Sequence, residues 1–251
     1  MTLKKFLPAL ALLTLPVMAQ AEKYPAPVEA MVERGIEVLE RFDAPSGLTG
    51  YAAIYNGRPL ALYVTQDGKH ALIGSLLNAT GKDLTGEILD EKVSLPQSKV
   101  MWDKLQASSW VADGSDKAET IVYAFTDPNC PYCKRFWKDA RPWVDAGKVQ
   151  LRHVIVGSLG ESSKKKAAFL LAAKDPRAAL KGNESGKAPA QEAKTISAQQ
   201  LKQLDDNQQL MADVGASGTP AILYLEPNGM LQMHPGAPQG QQLIELFGPR
   251  P

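Results

Sequence analysis

The sequence predicts a two-domain protein, with a small α+β unit in its N-terminal part and an α/β domain in its C-terminal part. Three observations lead to this fold class. Short apolar runs separated by glycine-containing turns fill residues 22–85, a helical pattern follows over 86–112, and strand and helix patterns alternate over 113–251. Consecutive strands favour an antiparallel sheet, whereas alternating strands and helices are typical of an α/β domain.

Residues 1–21 have the composition of a secretory signal peptide. Lys4 and Lys5 precede an apolar stretch from Phe6 to Val17, and Ala19-Gln20-Ala21 supplies small residues, with cleavage expected after Ala21. A membrane anchor is the alternative, but an apolar core of about a dozen residues is too short to span a bilayer comfortably. Loss of the two lysines takes the formal net charge from +1 to −1, and nothing in this balance indicates nucleic-acid binding. We therefore expect an exported protein.

Residues 22–85 are predicted to form the N-terminal domain. An amphipathic helix is indicated by apolar residues at three-and-four spacing, at Val28, Met31, Val32, Ile36 and Leu39. Three runs rich in Tyr, Ile, Leu and Val follow, at 51–55, 60–65 and 71–77, and the turns Asn56-Gly57 and Asp67-Gly68 join them into an antiparallel meander. A unit this small buries little surface, so we expect it to be stabilised by dimerisation.

Residues 86–112 are predicted to be a linker that contains a helix. Ser94-Leu95-Pro96-Gln97 has the residue order of a capping box, and Met101, Trp102 and Leu105 would lie on one face of the helix that it opens. Asp113-Gly114-Ser115-Asp116 would end this helix. A helical connector holds two domains at a defined distance, unlike a flexible Gly/Ser linker.

Cys130 and Cys133 are the two cysteines of the chain, and they lie between a strand pattern and a helix pattern. The apolar run Ile121–Phe125 precedes them, and a helical pattern follows. The N-terminus of a helix offers unpaired N–H groups and a partial positive charge, which lower the pKa of a thiol placed there. Cys130 is therefore predicted to be the attacking sulfur of a redox-active dithiol.

Two other interpretations of the cysteine pair are less favoured. A structural disulfide across two intervening residues would close a very small loop and restrain little chain entropy. A zinc site lacks ligands, because there is no second cysteine pair and the three histidines lie far apart, at His70, His153 and His234. We expect these histidines to be ordinary surface or packing residues. The redox interpretation also suits an exported protein, since disulfides persist in oxidising compartments.

The patterns from Thr120 onward follow the plan of the thioredoxin fold. They read, in order, as a strand, the helix that starts at the cysteines, the strand Val149–Val156, a long helical region, the strands Ala221–Leu225 and Met230–His234, and the helix Gln239–Phe247. The helical region, at about residues 160–216, is an insertion between the two halves of that plan. Within it, Ser197 and Gln200 form a capping-box pattern, and Gly215 is placed to end the helix that follows.

Thr219-Pro220 stands directly before the strand Ala221–Leu225. Proline cannot donate a ladder hydrogen bond, so its position at the start of a core strand indicates a turn or irregular backbone. Together with the signal segment, the small first domain, the helical connector and Cys130-Pro131-Tyr132-Cys133, this dipeptide completes a pattern that resembles the DsbC/DsbG family of periplasmic thiol:disulfide interchange proteins. The resemblance covers essentially the whole mature chain.

Within that family the sequence is more similar to the DsbG branch. Pro131 stands where DsbC carries glycine, the additional cysteine pair of DsbC is absent, and the helical insertion is long. The resemblance implies that Pro220 is cis, that Thr219 sits beside the disulfide, and that a cystatin-like N-terminal domain dimerises the molecule. It also implies that a DsbD-type membrane thiol reductant keeps the pair reduced. Ala124 stands where thioredoxins carry a buried acidic residue, which makes a plain thioredoxin role less favoured.

These observations predict a disulfide isomerase or reductase that acts on unfolded or misoxidised periplasmic proteins. The Cys130 thiolate would attack a substrate sulfur, and Cys133 would release the substrate by forming the Cys130–Cys133 disulfide, so that no cofactor or metal is needed. Pro131 and Tyr132 are expected to tune the redox properties of the pair, and Thr219 and Pro220 to bind an extended substrate segment. The same dithiol chemistry extends to cysteine sulfenic acids.

Two further functions stay open at this point. One is a DsbA-like oxidase that donates its disulfide to substrates. The other is a homodimeric chaperone or holdase whose cleft binds unfolded chains, with the dithiol secondary. The redox state of the two cysteines in cells separates the first of these from a reductase or isomerase.

Overall fold

The computed structural model describes residues 24–251, and the predicted signal peptide lies outside them. The described chain forms two compact units, and the boundary between them in the sequence lies between Leu89 and Asp90. No helix within residues 24–251 is long and apolar enough to cross a membrane.

The first unit is one antiparallel sheet with short helices. Its elements are α1 (Ala26–Val32), β1 (Glu37–Asp43), β2 (Thr49–Tyr55), β3 (Arg58–Val64), β4 (Ala71–Ile73) and α2 (Gly86–Leu89). The strands pair in the order β1-β2-β3-β4, so β1 and β4 are the edge strands. Val28 of α1 packs with Leu62 and Val64 of the sheet in the core of this unit. The predicted meander is present, although β4 is shorter than the run 71–77.

The prediction that the amphipathic helix extends to Leu39 is wrong for its second half. The helix α1 ends at Val32, because Gly35 adopts a φ of +93°, which turns the chain out of the helix. Val38 then pairs with Ala53 of β2 as part of β1. Apolar residues spaced for a helix therefore lie in two elements, because pairing with a strand that follows in the sequence overrides the local pattern.

The second unit holds a five-stranded sheet with helices on both faces. It begins with a π-helical turn (Asp90–Ser94) and continues with α3 (Leu95–Ala107), β5 (Trp110–Asp113), β6 (Thr120–Thr126), α4 (Pro131–Asp139), α5 (Arg141–Asp145), β7 (Val149–Ile155), α6 (Glu161–Leu171), α7 (Pro176–Ser185), α8 (Ala198–Asp213), β8 (Ala221–Leu225), β9 (Leu231–Pro235) and α9 (Gln241–Phe247). The strand order is β5-β7-β6-β8-β9, with β6 and β7 parallel and the other pairs antiparallel.

Alternate residues of β6 point to opposite faces of this sheet. Val122 and Ala124 pack with α4, α5 and α9, whereas Tyr123 and Phe125 pack with α3 and α8. The central strand is therefore covered on both sides, as expected for a run that is apolar throughout. β6 ends at the buried residue Thr126, and the loop that follows leads to the cysteines.

The helix α3 packs within the second unit, to which it belongs. The Ser98 hydroxyl accepts a hydrogen bond from the Leu231 N–H at 3.0 Å, and Leu105 is fully buried against the sheet. Ser94 has helical backbone angles (φ −68°, ψ −43°), so it continues the preceding helical turns and does not cap a new helix as predicted. The chain is extended from Trp110 as β5, before the predicted stop at Asp113. The role of residues 86–112 as a spacer stays a prediction.

The predicted insertion comprises α6, α7 and α8. The capping box at Ser197 and Gln200 is present, with the Gln200 N–H donating to the Ser197 hydroxyl and the Ser197 N–H donating to the Gln200 side chain. Gly215 has a φ of +76° directly after this helix, which confirms it as the residue that ends α8.

Candidate active site

The two cysteines lie at the start of α4, at the end of β6 that is covered on both sides. Cys130 is the N-cap residue, with extended backbone angles (φ −75°, ψ 116°), and Pro131 is the first helical residue. Proline suits that position because its missing N–H would have no partner within the helix. The Cys133 N–H donates to the Cys130 sulfur at 3.2 Å, and the Cys130 thiol donates to the Thr219 carbonyl at 3.2 Å. Both cysteines are free thiols in this structure.

The pKa of Cys130 is lowered from its ordinary 9.0 to about 6. The hydrogen bond from the Cys133 side chain lowers it most, and burial acts in the opposite direction. The Thr219 side chain and the N–H groups of Cys133 and Tyr132 lower it further. The capping position of Cys130 accounts for these last contributions, because the first N–H groups of α4 point at its sulfur. Cys130 is therefore mainly a thiolate near neutral pH.

The pKa of Cys133 moves in the other direction. Burial raises it far above its ordinary range, and the sulfur of Cys130 and the carboxylate of Glu184 raise it further. Only 1% of Cys133 is exposed, whereas Tyr132, the residue before it in the sequence, is 60% exposed. The motif thus presents Tyr132 at the surface and holds Cys133 as a protonated thiol below it.

Thr219 and Pro220 lie beside the cysteine pair, as the sequence predicted. Their peptide bond is cis. The Pro220 carbonyl accepts a hydrogen bond from the Gly236 N–H at 2.8 Å, which fixes this loop to the end of β9. A groove of ≈ 200 Å³ is lined by residues 215–221 and by Met233, Pro235 and Gly236. Thr219 lines this groove and also accepts the hydrogen bond from the Cys130 sulfur.

Asp127 holds the loop that carries Cys130, and the sequence analysis did not identify it. Its carboxylate is fully buried and accepts hydrogen bonds from the Asn129 N–H at 2.8 Å, the Ser163 hydroxyl at 2.6 Å, the Leu159 N–H at 3.0 Å and the Ser158 hydroxyl at 3.3 Å. These donors come from the loop itself and from the segment around the start of α6. The only local signal was an Asp two residues before an Asn, which is common in turns.

A second acidic residue near the pair comes from the insertion. Glu184 of α7 is 4% exposed, and burial raises its pKa from 4.5 to about 7. Nothing in the local sequence indicates this, because 50 residues separate it from Cys133. Ala124, at the position where thioredoxins carry their buried acid, is itself fully buried.

The described contacts of the three histidines are with groups other than the cysteines. His70 lies 3.8 Å from Asp67 and His234 lies 3.4 Å from the Gly236 carbonyl. His153 is buried, with its Nδ1 2.8 Å from the Thr126 hydroxyl and its Nε2 3.8 Å from Asp113. Hydrogen bonds and charge from His153 and Arg141 outweigh the effect of burial on Asp113 and hold its pKa at about 2. Within residues 24–251 no group of three or more His, Cys, Asp or Glu side chains could hold a metal ion.

Comparisons with known proteins agree with this geometry. A family model for a thioredoxin-like domain matches residues 111–248. The chain is 51% identical over 243 residues to the thiol:disulfide interchange protein DsbG of Pseudomonas aeruginosa, covering 96% of this chain and 95% of that one. It is 42% identical over 241 residues to DsbG of Escherichia coli (95% and 97% covered) and 26% identical over 247 residues to DsbC of Dickeya dadantii (92% and 95% covered).

Proposed function

The chain belongs to the DsbG family of thiol:disulfide interchange proteins, and we propose that Cys130 and Cys133 carry out this interchange as an isomerase and reductase of misoxidised exported proteins. The observation that supports the assignment of roles most strongly is the opposite direction of the two pKa shifts on one helix. A thiolate is the attacking species in disulfide exchange, so Cys130 attacks and Cys133 waits as a thiol.

The reaction begins when the Cys130 thiolate attacks one sulfur of a substrate disulfide. A bond forms between Cys130 and that sulfur, and the other substrate sulfur leaves as a thiolate. In isomerisation, a different substrate thiolate then attacks the mixed disulfide, which regenerates Cys130 and leaves a rearranged substrate. In reduction, Cys133 attacks Cys130, the Cys130–Cys133 disulfide forms, and the substrate leaves with two thiols in place of its disulfide.

A cysteine sulfenic acid is a second substrate class for the same pair. The Cys130 thiolate attacks the oxidised sulfur and displaces hydroxide, which takes up a proton to become water. Cys133 then resolves the mixed disulfide and releases the substrate thiol, so two electrons pass from the dithiol to the substrate. Both reductive routes end with the Cys130–Cys133 disulfide.

The groove beside Thr219 and Pro220 is suited to an extended substrate segment. Small residues, among them Gly215, Ala216 and Gly218, line much of it, so a substrate would reach the main chain and could be held by main-chain hydrogen bonds with little regard to its sequence. The exposed ring of Tyr132, two residues after Cys130, offers an apolar surface. Unfolded chains expose both kinds of group, which matches the proposed substrates.

We place the protein in the periplasm as a homodimer whose N-terminal units associate. The edge strand β4 exposes Leu72 and Ile73 to more than half of their surface, and a second copy would cover this apolar edge. Ile73→Asp should then yield a monomer in sedimentation, whereas Val100→Asp, at an equally exposed apolar residue of α3, should leave a dimer. A DsbD-type membrane thiol reductant would regenerate the dithiol after each reductive turnover.

Reactivation of a scrambled, disulfide-bonded substrate tests the proposed function. Cys130→Ser should abolish reactivation, whereas Cys133→Ser should keep the attack and accumulate mixed disulfides that are visible on a non-reducing gel. Reactivation that survives in Cys130→Ser would contradict the proposal. A protein that suppresses aggregation equally well without either sulfur, and does not rearrange disulfides, would instead be a holdase.

A further inference from the structure

Resolution of the mixed disulfide requires a proton acceptor for the Cys133 thiol. Cys133 must lose a proton to attack Cys130, yet its pKa is raised and only 1% of it is exposed. Water therefore has poor access to the proton. A buried group near Cys133 that accepts a proton would remove this obstacle.

Glu184 is buried at the end of α7, the helix that packs against α4, and one of its oxygens is uncommitted. Its Oε1 accepts a hydrogen bond from the Asn183 side-chain amide at 2.9 Å, and its Oε2 has no hydrogen-bond partner among the described residues. A buried polar atom without a partner costs free energy, so such an atom in a folded protein calls for an explanation. An oxygen that takes up a proton during the reaction provides one.

The packing of α7 on α4 fixes the position of this carboxylate. The neighbouring Asn183 is 1% exposed; its amide donates to the Pro128 carbonyl at 3.1 Å, and its oxygen accepts from the Ala190 N–H at 3.0 Å. Pro128 lies two residues before Cys130. Asn183 thus ties the end of α7 to the loop that carries the attacking cysteine, and Glu184 follows it directly.

Burial and the charges around Glu184 act on its pKa in both directions. Burial raises its pKa, the Asn183 amide and the Lys134 ammonium on α4 lower it, and the negative charges of Cys130 and Asp113 raise it, to about 7. The lysines of α6, which also packs against α7, pair elsewhere: Lys164 with Asp205, Lys165 with Glu161 and Lys166 with Asn129. Glu184 can therefore both take and give a proton near neutral pH.

The other buried acceptors near the pair are less suited. Both oxygens of Asp127 already accept two hydrogen bonds each. His153 is hydrogen-bonded to Thr126 at Nδ1, and its Nε2, although it has no hydrogen-bond partner among the described residues, forms a 3.8 Å ion pair with Asp113. Apart from Cys130, the negative charge that raises the pKa of Cys133 is that of Glu184, and the packing of α7 on α4 together with the Asn183–Pro128 hydrogen bond brings this end of α7 to the cysteine loop.

We propose that Glu184 is the proton acceptor for Cys133 during resolution, an inference that rests on the proposed thiol:disulfide interchange. The proton of Cys133 passes to the Glu184 carboxylate while the Cys133 sulfur attacks the sulfur of Cys130. The Cys130–Cys133 bond forms, the bond from Cys130 to the substrate breaks, and the substrate leaves as a thiolate. Glu184 then returns the proton to that thiolate or to solvent, and the dithiol is oxidised as the substrate is reduced.

The reaction of the reduced full-length mature protein with 5,5′-dithiobis(2-nitrobenzoate) separates the two steps. Attack by Cys130 releases one thionitrobenzoate at a rate proportional to the reagent, and resolution by Cys133 releases a second at a rate that does not depend on the reagent. Because thionitrobenzoate leaves as a stable thiolate, the second phase reports the deprotonation of Cys133. Absence of a reagent-dependent first phase would refute the proposed function and not this inference.

Glu184→Gln keeps the size of the side chain and its hydrogen bond from Asn183 but removes the proton acceptor. We expect the second phase to slow tenfold or more at pH 7.5, with the first phase unchanged, and the rise in its rate near pH 7 to disappear. A purely electrostatic role predicts the opposite sign, because removing a negative charge lowers the pKa of Cys133 and speeds resolution. A second phase that slows less than tenfold, or that keeps its step near pH 7, overturns the proposal.

Two further variants guard against an indirect effect. Glu161→Gln makes the same chemical change at an exposed position of α6 and should leave both phases as in the wild type. Glu184→Asp restores a carboxylate and should recover at least part of the second-phase rate together with its pH step. A Glu184→Asp rate equal to that of Glu184→Gln would show that packing, and not the acid, is what the site requires, and would overturn the proposal.

Discussion

Replacing Cys133 by Ala should raise the pKa of Cys130, because the hydrogen bond from the Cys133 side chain is the largest of the effects that lower it. The lowering from 9.0 to about 6 corresponds to about 4 kcal/mol of preferential stabilisation of the thiolate. A hydrogen bond to a charged group contributes roughly 1.5–3 kcal/mol, so its loss should move the pKa up to about 7–8.

The rate of alkylation by iodoacetamide between pH 4 and pH 9, followed by mass spectrometry, measures this pKa. In the wild type, the rate at Cys130 should have its midpoint near pH 6. In Cys133→Ala the rate at pH 6 should fall about tenfold, because the thiolate fraction drops from roughly a half to a few per cent. The rate at pH 9 should change little.

Cys133→Ser is the matched control, since a serine hydroxyl can still donate to the Cys130 sulfur. Its midpoint should stay closer to that of the wild type than that of Cys133→Ala does. A midpoint that stays near pH 6 in Cys133→Ala would show that the helix N-terminus alone stabilises the thiolate. A wild-type midpoint above pH 8 would refute the assignment of Cys130 as the thiolate.

Three further predictions concern stability, each measured by urea unfolding. Glu184 has a folded-state pKa above its ordinary value, so the stability that it contributes is present below about pH 4.5 and is lost as the pH rises through 7. The free energy of unfolding of Glu184→Gln, relative to that of the wild type, should therefore rise by up to about 3 kcal/mol between pH 5 and pH 8. A difference between the two proteins that does not change with pH would contradict the raised pKa. Ser163→Ala removes a buried hydrogen bond to Asp127 and should lower the free energy of unfolding by about 1.5–3 kcal/mol. Roughly 0.5 kcal/mol is the lower bound for any hydrogen bond, so a smaller loss would count against the role of this contact. Gly50→Ala would place a Cβ in steric overlap with the Phe42 ring and should cost about 1–3 kcal/mol. Wild-type stability would mean that the ring moves away freely.

Those parts of the fold that depend on local chemistry could be predicted from the sequence. The Asn56-Gly57 turn forms with φ values of +49° and +74°, because both residue types tolerate positive φ and such turns match the twist of a hairpin. The helix α8 begins and ends where its capping box and Gly215 predict. β1 could not be predicted in the same way, because its apolar residues also fit a helix and only pairing with β2 decides between the two structures.

The same division holds for the candidate site. Cys130 and Cys133 carry their chemistry in the local sequence and could be named before the structure, whereas the place of Thr219-Pro220 beside them was implied by the family resemblance. Glu184 could not, since an exposed and a buried glutamate look alike in sequence and its burial depends on how α7 packs against α4. The proton acceptor that we propose therefore comes from the insertion, which sequence analysis identified without any indication of a role in the chemistry.

The redox state of Cys130 and Cys133 in growing cells tests the central claim most directly. Cells are quenched in acid, free thiols are alkylated with a reagent that adds mass, and the protein is separated by size without reduction. An isomerase and reductase should be found mainly as the dithiol, and should shift to the disulfide in cells that lack the membrane thiol reductant. A protein that is mainly disulfide-bonded in normal cells would contradict the account and indicate an oxidase.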